Sequence, residues 1–348
     1  MIRPWLAETW HRLVALDGRL PHALLFAGPP GLGKRELADA LAARLLCALP
    51  DPAGHACGRC SACMLRLAGN HPDLIMLVPA AESAPEPDGK EGDDAPAKAK
   101  STQIVIEQVR EVQKALAVTG HQSSTRVVVV DPAEAMNVFT ANALLKLLEE
   151  PPPACAFILV SSAPRRLLPT IRSRCQQWTF GRPSGAAVEA FASGADAGLA
   201  ALLALNGGMP LAAERAAERG GAALLARFVR DIARLPEADP LKTAAQWDAW
   251  LKSKEALAAG FGMVQLADWM QRWVTDLAMV RLGGRARYFP AQAEVFAALA
   301  ARTDVARATN CYNEFASIRR VAHHPLNARL MLEDMLLRYV RTMSEKTA

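Results

Sequence analysis

The chain has 348 residues, of which 51% are hydrophobic and 22% charged, and its formal net charge is +5. This composition predicts a soluble protein with a packed core, and the length allows two or three domains. It contains no apolar run of the roughly 18 residues that a membrane span needs, and its charged N-terminus does not have the pattern of a signal peptide. We therefore expect a cytoplasmic protein with no membrane contact, whose mild basic excess permits contact with nucleic acid.

Short apolar runs alternate with helical patterns in the first half of the chain. Buried strands are predicted at 23–27, 126–130 and 156–160, because each run is apolar and bounded by turn residues. Helices are predicted at 35–46 and 141–150, and three consecutive prolines end the second one. This alternation favours a mostly parallel α/β sheet.

The segment GPPGLGKR at 28–35 lies between the first predicted strand and the first predicted helix. Gly28, Gly31 and Gly33 allow backbone N–H groups to turn toward phosphate oxygens, and Lys34 would reach the β- and γ-phosphates of a nucleotide. The spacing indicates a loop derived from a phosphate-binding loop. The alternative is a tight strand-to-helix turn that binds nothing.

Two positions around this loop do not suit ATP hydrolysis. Arg35 stands where a phosphate loop carries a Ser or Thr that helps to hold Mg²⁺, and a guanidinium would repel the metal. Asp131 ends the 126–130 strand, where a magnesium-anchoring acid belongs, but Pro132 follows it in place of a carboxylate that would polarise water. Asp131 could instead cap the turn. Binding of ATP and Mg²⁺ is therefore doubtful, and these residues would form a weak or vestigial nucleotide site.

Four of the seven cysteines are clustered, at Cys47, Cys57, Cys60 and Cys63. Four thiolates complete a tetrahedral zinc shell with no open position, so the spacing predicts a structural Zn²⁺ site. In one alternative, His55 or His71 replaces one of the thiols as a ligand. In the other, the four thiols are free and buried.

Two further regions differ from the α/β pattern. Residues 80–101 are rich in Pro, Ala, Gly and charge, which predicts a flexible surface insertion. Beyond about residue 181 the strand patterns stop. Amphipathic helices are predicted around 266–280 and 326–339, and the C-terminal half is expected to be all-α.

Arg174 lies in the segment IRSRC after the third predicted strand. A solvated basic turn would explain it. Arginine also stays charged and binds phosphate oxygens bidentately, so Arg174 is a candidate for contacting a phosphate held by a neighbouring subunit.

Six features follow one another along the chain: the phosphate loop, the cysteine module, and the segments RVVVVDPAEAMN, ANALLKLLEEPP, FILVSSAP and LLPTIRSRCQQW. Together they resemble bacterial clamp-loader subunits of the AAA+ class, closely over about residues 1–210. Arg35, Pro132 and the Gly-Met-Pro at 208–210 depart from the family's ATP-hydrolysing motor subunits, so the resemblance is to the subunit that does not hydrolyse ATP.

The resemblance implies an architecture and a set of partners. An α/β P-loop (AAA+) parallel-sheet domain at 1–180 would contain the zinc module at 47–63, followed by a small helical lid domain at 181–215 and an all-α collar at 216–348. Arg174 would act in trans as an arginine finger on a motor subunit's ATP. The partners would be gamma/tau motor subunits and a delta subunit in a five-membered ring that loads a sliding clamp onto primed DNA, and the chain alone would have neither polymerase nor ATPase activity.

Three other functions fit parts of the pattern. An ATP-hydrolysing AAA+ motor would turn over ATP as an isolated chain. A zinc-stabilised nucleic-acid-binding module would bind DNA alone and in a salt-dependent manner. A small-molecule P-loop kinase would need an acceptor site, which nothing in the helical half resembles.

Overall fold

The computed structural model describes residues 2–16, 18–81, 101–117, 125–183, 186–322 and 327–344. The chain divides into two compact units, Met1–Ser184 and Gly185–Ala348. The bounds expected from the sequence for the AAA+ domain, 1–180, stay a prediction.

The first unit is an α/β unit, as the alternating sequence pattern predicts. Its strands are β1 (Ala23–Ala27), β2 (Leu74–Leu77), β3 (Arg126–Val130), β4 (Cys155–Ser161) and β5 (Gln176–Thr179). Its helices are α1 (Ala7–Val14), α2 (Lys34–Leu46), α3 (Ser61–Leu67), α4 (Ile106–Ala117), α5 (Val138–Glu149) and α6 (Pro169–Arg174).

The five strands form one parallel sheet in the order β2-β3-β4-β1-β5. Strands β1 and β4 are buried along their whole length, because helices cover both faces of a parallel sheet. Leu25 of β1 pairs with Leu159 of β4 on one side and with Gln177 of β5 on the other. The carboxyl ends of β1, β3 and β4 therefore meet at one edge of the sheet, which is where ligands bind in open α/β folds.

The second unit is entirely helical within its described residues. Its helices are α7 (Ala186–Ser193), α8 (Ala197–Leu205), α9 (Pro210–Glu218), α10 (Gly221–Arg234), α11 (Pro240–Leu251), α12 (Lys254–Ala258), α13 (Met263–Arg281), α14 (Ala293–Ala300), α15 (Val305–Val321) and α16 (Ala328–Ser344). The subdivision of this unit into a lid and a collar stays a prediction.

Aromatic side chains fill the centre of the second unit. The Trp273 ring lies 4.5 Å from Phe296 and 5.0 Å from Phe289 between ring centroids. Its indole Nε1 donates a hydrogen bond of 2.9 Å to the hydroxyl of the fully buried Tyr339. This bond satisfies a polar group that would otherwise be buried without a partner, and it joins α13 to α16.

Two sequence expectations fall partly or wholly outside the described residues. The flexible insertion predicted at 80–101 lies almost entirely outside them, although the Ala81 N–H donates to the Ser101 carbonyl at 2.9 Å, so that the two flanks of the segment are adjacent. Residue 326, the first of the last predicted helix, also lies outside them. Within the described ranges no helix is both long enough and apolar enough to cross a membrane.

Candidate functional site

The loop between β1 and α2 takes a shape that requires glycine at three positions. Gly31 and Gly33 have φ values of 80° and 89°, in the left-handed region that side chains disfavour. A Cβ added at Gly28 would lie 2.4 Å from the carbonyl oxygen of Phe180. The loop therefore packs directly against the backbone that follows β5, and its geometry favours glycine at these three positions.

Lys34 is buried and turns back onto its own loop. Its ammonium Nζ donates to the Pro29 carbonyl oxygen at 2.8 Å and to the Ser162 hydroxyl at 3.2 Å. Burial lowers the pKa of Lys34, and the nearby carboxylates of Glu134 and Asp131 oppose that shift. The cation expected to meet nucleotide phosphates thus has partners inside the chain.

Arg35 is paired with the acid at the end of β3. Its guanidinium Nη1 lies 3.2 Å from Asp131 Oδ2, and the Asp131 side chain is only 12% exposed. The carboxylate expected to anchor Mg²⁺ therefore faces a fixed positive charge. This arrangement disfavours a divalent cation at that position, because the guanidinium would repel it.

Glu134 completes a network at the same edge of the sheet. Its Oε1 accepts a hydrogen bond of 2.9 Å from the backbone N–H of Ser162, the residue whose hydroxyl contacts Lys34. Its Oε2 is buried without a hydrogen-bond partner among the described residues. Glu134 is half-buried, and a carboxylate with one oxygen on a backbone N–H and the other buried is poorly placed to polarise an attacking water.

Arg174 ends α6 and reaches the surface. Ile171 and Cys175 on either side of it are buried, so α6 is anchored while the Arg174 side chain stays 35% exposed. Its Nη2 lies 2.5 Å from Glu149 Oε1, and its Nη1 donates to the Thr170 carbonyl at 3.1 Å. The charged group is thus held on a rigid element with part of its surface open to solvent.

The four clustered cysteines come together as the sequence predicts. Their sulfur atoms all lie within 4.8 Å of one another, and the Cys47–Cys60 and Cys57–Cys63 pairs are each 4.0 Å apart. A tetrahedral Zn²⁺ with Zn–S bonds of about 2.3 Å would set sulfur atoms about 3.8 Å apart. The four thiols therefore fit a metal ion of this kind, although no ion is part of the structure.

Local backbone geometry prepares the thiols for this role. The sulfur of Cys60 caps the N-terminus of α3 by accepting from the Cys63 N–H at 3.5 Å, and the sulfur of Cys47 accepts from the Cys57 N–H at 3.3 Å. The backbone N–H of Cys63 lowers the pKa of the Cys60 thiol to about 6. The two histidines considered as substitutes have other contacts: His55 stacks on Trp10, and the Nδ1 of the buried His71 accepts from the Asp73 N–H.

Sequence reasoning did not identify the side chains that contact Lys34 and Arg174. Ser162, whose hydroxyl accepts from Lys34, follows β4, and Glu134, which accepts from the Ser162 N–H, follows β3; both are far from the loop in sequence. Glu149 faces Arg174 from the end of α5. The acidic pair at 149–150 was a usable signal, because carboxylates are unfavourable at a helix C-terminus unless a cation compensates them.

Comparison with known proteins gives a consistent result. The family model described as DNA polymerase III, delta subunit, matches residues 6–184. The delta-prime subunit of DNA polymerase III from Pseudomonas aeruginosa is 41% identical over 241 residues, covering 67% of each chain. The delta-prime subunit from Escherichia coli is 40% identical and covers 50% of this chain and 47% of that relative.

A more distant relative and one solved structure extend this comparison. The gamma/tau subunit from Mycobacterium tuberculosis is 38% identical over 48% of this chain and 26% of its own length. A gamma-subunit-related protein from Thermotoga maritima aligns over 97% of this chain and 99% of its own, with a TM-score of 0.47 and 18% identity. That structural similarity is too low to support any functional inference.

Proposed function

Because the chain belongs to the family of DNA polymerase III delta-prime subunits, we propose that it works in a clamp loader. It supports the ATP-dependent loading of a sliding clamp onto primed DNA and does not hydrolyse ATP itself. Its partners are gamma/tau motor subunits and a delta subunit in a five-membered ring. Since bacterial DNA replication takes place in the cytoplasm, we expect the chain to work there.

One contrast within the first unit carries this proposal. Both cations of the phosphate loop contact groups within the chain. Lys34 donates to the Pro29 carbonyl and the Ser162 hydroxyl, and Arg35 pairs with Asp131. Lys34 is only 4% exposed, whereas Arg174 ends α6 with its permanently charged side chain 35% exposed. A chain whose own phosphate loop is occupied by internal contacts, and whose Arg174 reaches the surface, suits a role in which it completes a neighbour's ATP site.

We propose that Arg174 is the group that acts in trans. An arginine supplied by a neighbour stabilises the charge that develops during phosphoryl transfer, and this contributes about 10³–10⁵-fold in rate. The anchoring of α6 by Ile171 and Cys175 supports this role, because a catalytic charge must be held in a fixed position. Contacts of this subunit with DNA would be made mainly to phosphates.

The four thiols of Cys47, Cys57, Cys60 and Cys63 would hold a structural Zn²⁺. When bound, the ion would join the end of α2 to the start of α3 and neutralise the thiolates. With all four positions filled by protein, the site leaves no coordination position for a substrate.

The test is ATP turnover in the presence of clamp and primed DNA. The chain alone is expected to be inactive, and Arg174→Ala is expected to lower turnover by the reconstituted complex by at least 100-fold without preventing assembly. Arg110→Ala removes an exposed arginine from α4 and is the matched control. Turnover by the chain alone that depends on Lys34 would identify a motor subunit, and a complex indifferent to Arg174→Ala would rule out the trans-acting arginine.

A further inference from the structure

A large cavity lies in the second unit, among residues that belong neither to the phosphate loop nor to the helix that carries Arg174. It measures about 890 Å³ and is bordered by α8, α9, α10, α13 and α15. This volume is in the range of specific ligand sites rather than of packing defects. We call it the arginine groove, after the five arginines that line it: Arg215, Arg219, Arg272, Arg319 and Arg320.

The charge of the groove is strongly one-sided. Among the described residues that line the groove, Asp268 is the single carboxylate, so the five arginines give these residues a net charge of about +4. The whole chain carries a formal net charge of only +5. Such a concentration of one sign in a concave surface raises the local concentration of anions.

Part of the groove is held in place by ion pairs. Asp268 bridges two helices, with its Oδ2 at 2.7 Å from Arg272 Nη2 and its Oδ1 at 2.8 Å from Arg319 Nη1. Arg272 also donates to the Leu205 carbonyl oxygen. The exposed Arg219 and Arg320 stand at the rim, outside this bridge. An anion could therefore meet the rim arginines without breaking the contacts that shape the groove.

The floor of the groove is apolar and mostly aliphatic. Leu202, Leu205, Leu224 and Val264 line it beside Phe261 and Trp269. The Trp269 ring already packs on Phe261, with centroids 4.5 Å apart, and on Phe228 at 5.5 Å. Aliphatic walls suit leucine-like or phenylalanine side chains, whereas stacking of a nucleobase needs a free aromatic face.

We propose that the arginine groove binds a short acidic segment of a partner protein, which places an apolar side chain on the aliphatic floor and its carboxylates against the rim arginines. Guanidinium groups pair bidentately with carboxylates, and arginine clusters beside apolar pockets are a known mode of acidic-motif recognition. The groove shares no residue with those proposed to act on ATP, so the two proposals are tested independently.

The test begins with selection of a random dodecapeptide phage library on the immobilised full chain. The expected peptides combine several Asp or Glu residues with Leu, Ile or Phe. The strongest peptide is then synthesised with a fluorescein label and its dissociation constant measured by anisotropy. Arg219→Glu combined with Arg320→Glu is expected to weaken binding at least tenfold.

Arg110→Glu combined with Arg182→Glu makes the same change of net charge on exposed residues of the first unit and is expected to leave binding within twofold. Val264→Ser, which reduces the apolar floor, is expected to weaken binding with the charges intact. The proposal is overturned if the library enriches no acidic–apolar sequence, or if both charge-reversed variants bind equally. It is also overturned if a twelve-nucleotide oligothymidylate binds the groove more tightly than the peptide and displaces it, because the ligand would then be nucleic acid.

Discussion

The contact between Glu149 and Arg174 makes a prediction about the rate of ATP hydrolysis. Two of the guanidinium nitrogens of Arg174 have partners within the chain, Glu149 Oε1 at 2.5 Å and the Thr170 carbonyl at 3.1 Å. A phosphate on a neighbouring subunit would have to displace the carboxylate to gain the full charge of the arginine. Replacing Glu149 with Gln should therefore free Arg174 and raise turnover by the complex.

The size of the effect follows from the exposure of the pair. The side chains of Arg174 and Glu149 are 35% and 46% exposed, and solvent-exposed ion pairs contribute about 0.2–1 kcal/mol. Since about 1.4 kcal/mol corresponds to a tenfold change in rate, releasing the pair should speed turnover by about 1.4-fold to about fivefold. Salt screens such a pair, so the difference from wild type should shrink as KCl is added.

The assay is steady-state ATP hydrolysis by the reconstituted complex at saturating ATP, clamp and primed DNA. Glu150→Gln removes the same charge from the neighbouring exposed residue and should leave the rate unchanged. Arg174→Ala, measured in parallel, establishes that the arginine contributes at all. If Arg174→Ala lowers turnover and Glu149→Gln lowers it too, Glu149 orients the arginine for its neighbour and the competition described here is wrong.

Two further predictions concern the structural parts of each unit. Atomic emission should find zinc in a stoichiometric amount in the purified wild-type protein. The Cys60→Ser variant should lose most of this zinc, because the sulfur of Cys60 lies 4.0 Å from that of Cys47 within the four-thiol cluster. A wild-type chain free of zinc would contradict the prediction. The buried carboxylate of Asp276 accepts backbone N–H bonds of 2.8–2.9 Å from Arg287, Tyr288 and Phe289. Asp276→Asn turns an NH₂ group toward one of these donors, so urea unfolding should show a loss of about 1–3 kcal/mol. Asp248→Asn breaks a surface pair with Lys252 and should change the free energy of unfolding by less than about 1 kcal/mol; equal losses in both variants would refute the role of the buried bonds.

The interior strands could be predicted from sequence because burial on both faces leaves a continuous apolar run. Strands β1 and β3 begin and end where the sequence predicts, at 23–27 and 126–130. Strand β5 was not predicted, because Gln176–Thr179 is mostly exposed and carries no apolar pattern. It is a strand because its backbone pairs with β1 at the edge of the sheet, which is a tertiary effect.

The limits of helices depend on capping, which is a local signal. The predicted helix at 141–150 begins three residues earlier, at Val138. Asn137 is its N-cap, and its side chain accepts from the Thr140 N–H at 2.9 Å. Asparagine is among the preferred N-cap residues, so the start of this helix could have been predicted.

Some features of the candidate site follow from local sequence, and others depend on tertiary contacts. The glycines of the loop and the clustered thiols are set by spacing, because their geometry depends on neighbours along the chain. The pairing of Arg35 with Asp131, and of Arg174 with Glu149, joins elements distant in sequence. A single sequence identifies which residues carry charge, and the strand order determines which charges meet.

The persistence of the phosphate loop in a chain proposed not to hydrolyse ATP has a structural explanation. Gly28 packs against the backbone of Phe180, which directly follows β5, and β1 pairs with β5 along its length. Strand β5 in turn begins two residues after Arg174. The loop and the proposed trans-acting arginine are therefore both connected to β5, and Lys34 ties the loop to the residue after β4 through its bonds to Pro29 and Ser162. A side chain at Gly28 would push the loop and the backbone after β5 apart, so the loop can be retained for positioning Arg174 even where it holds no nucleotide.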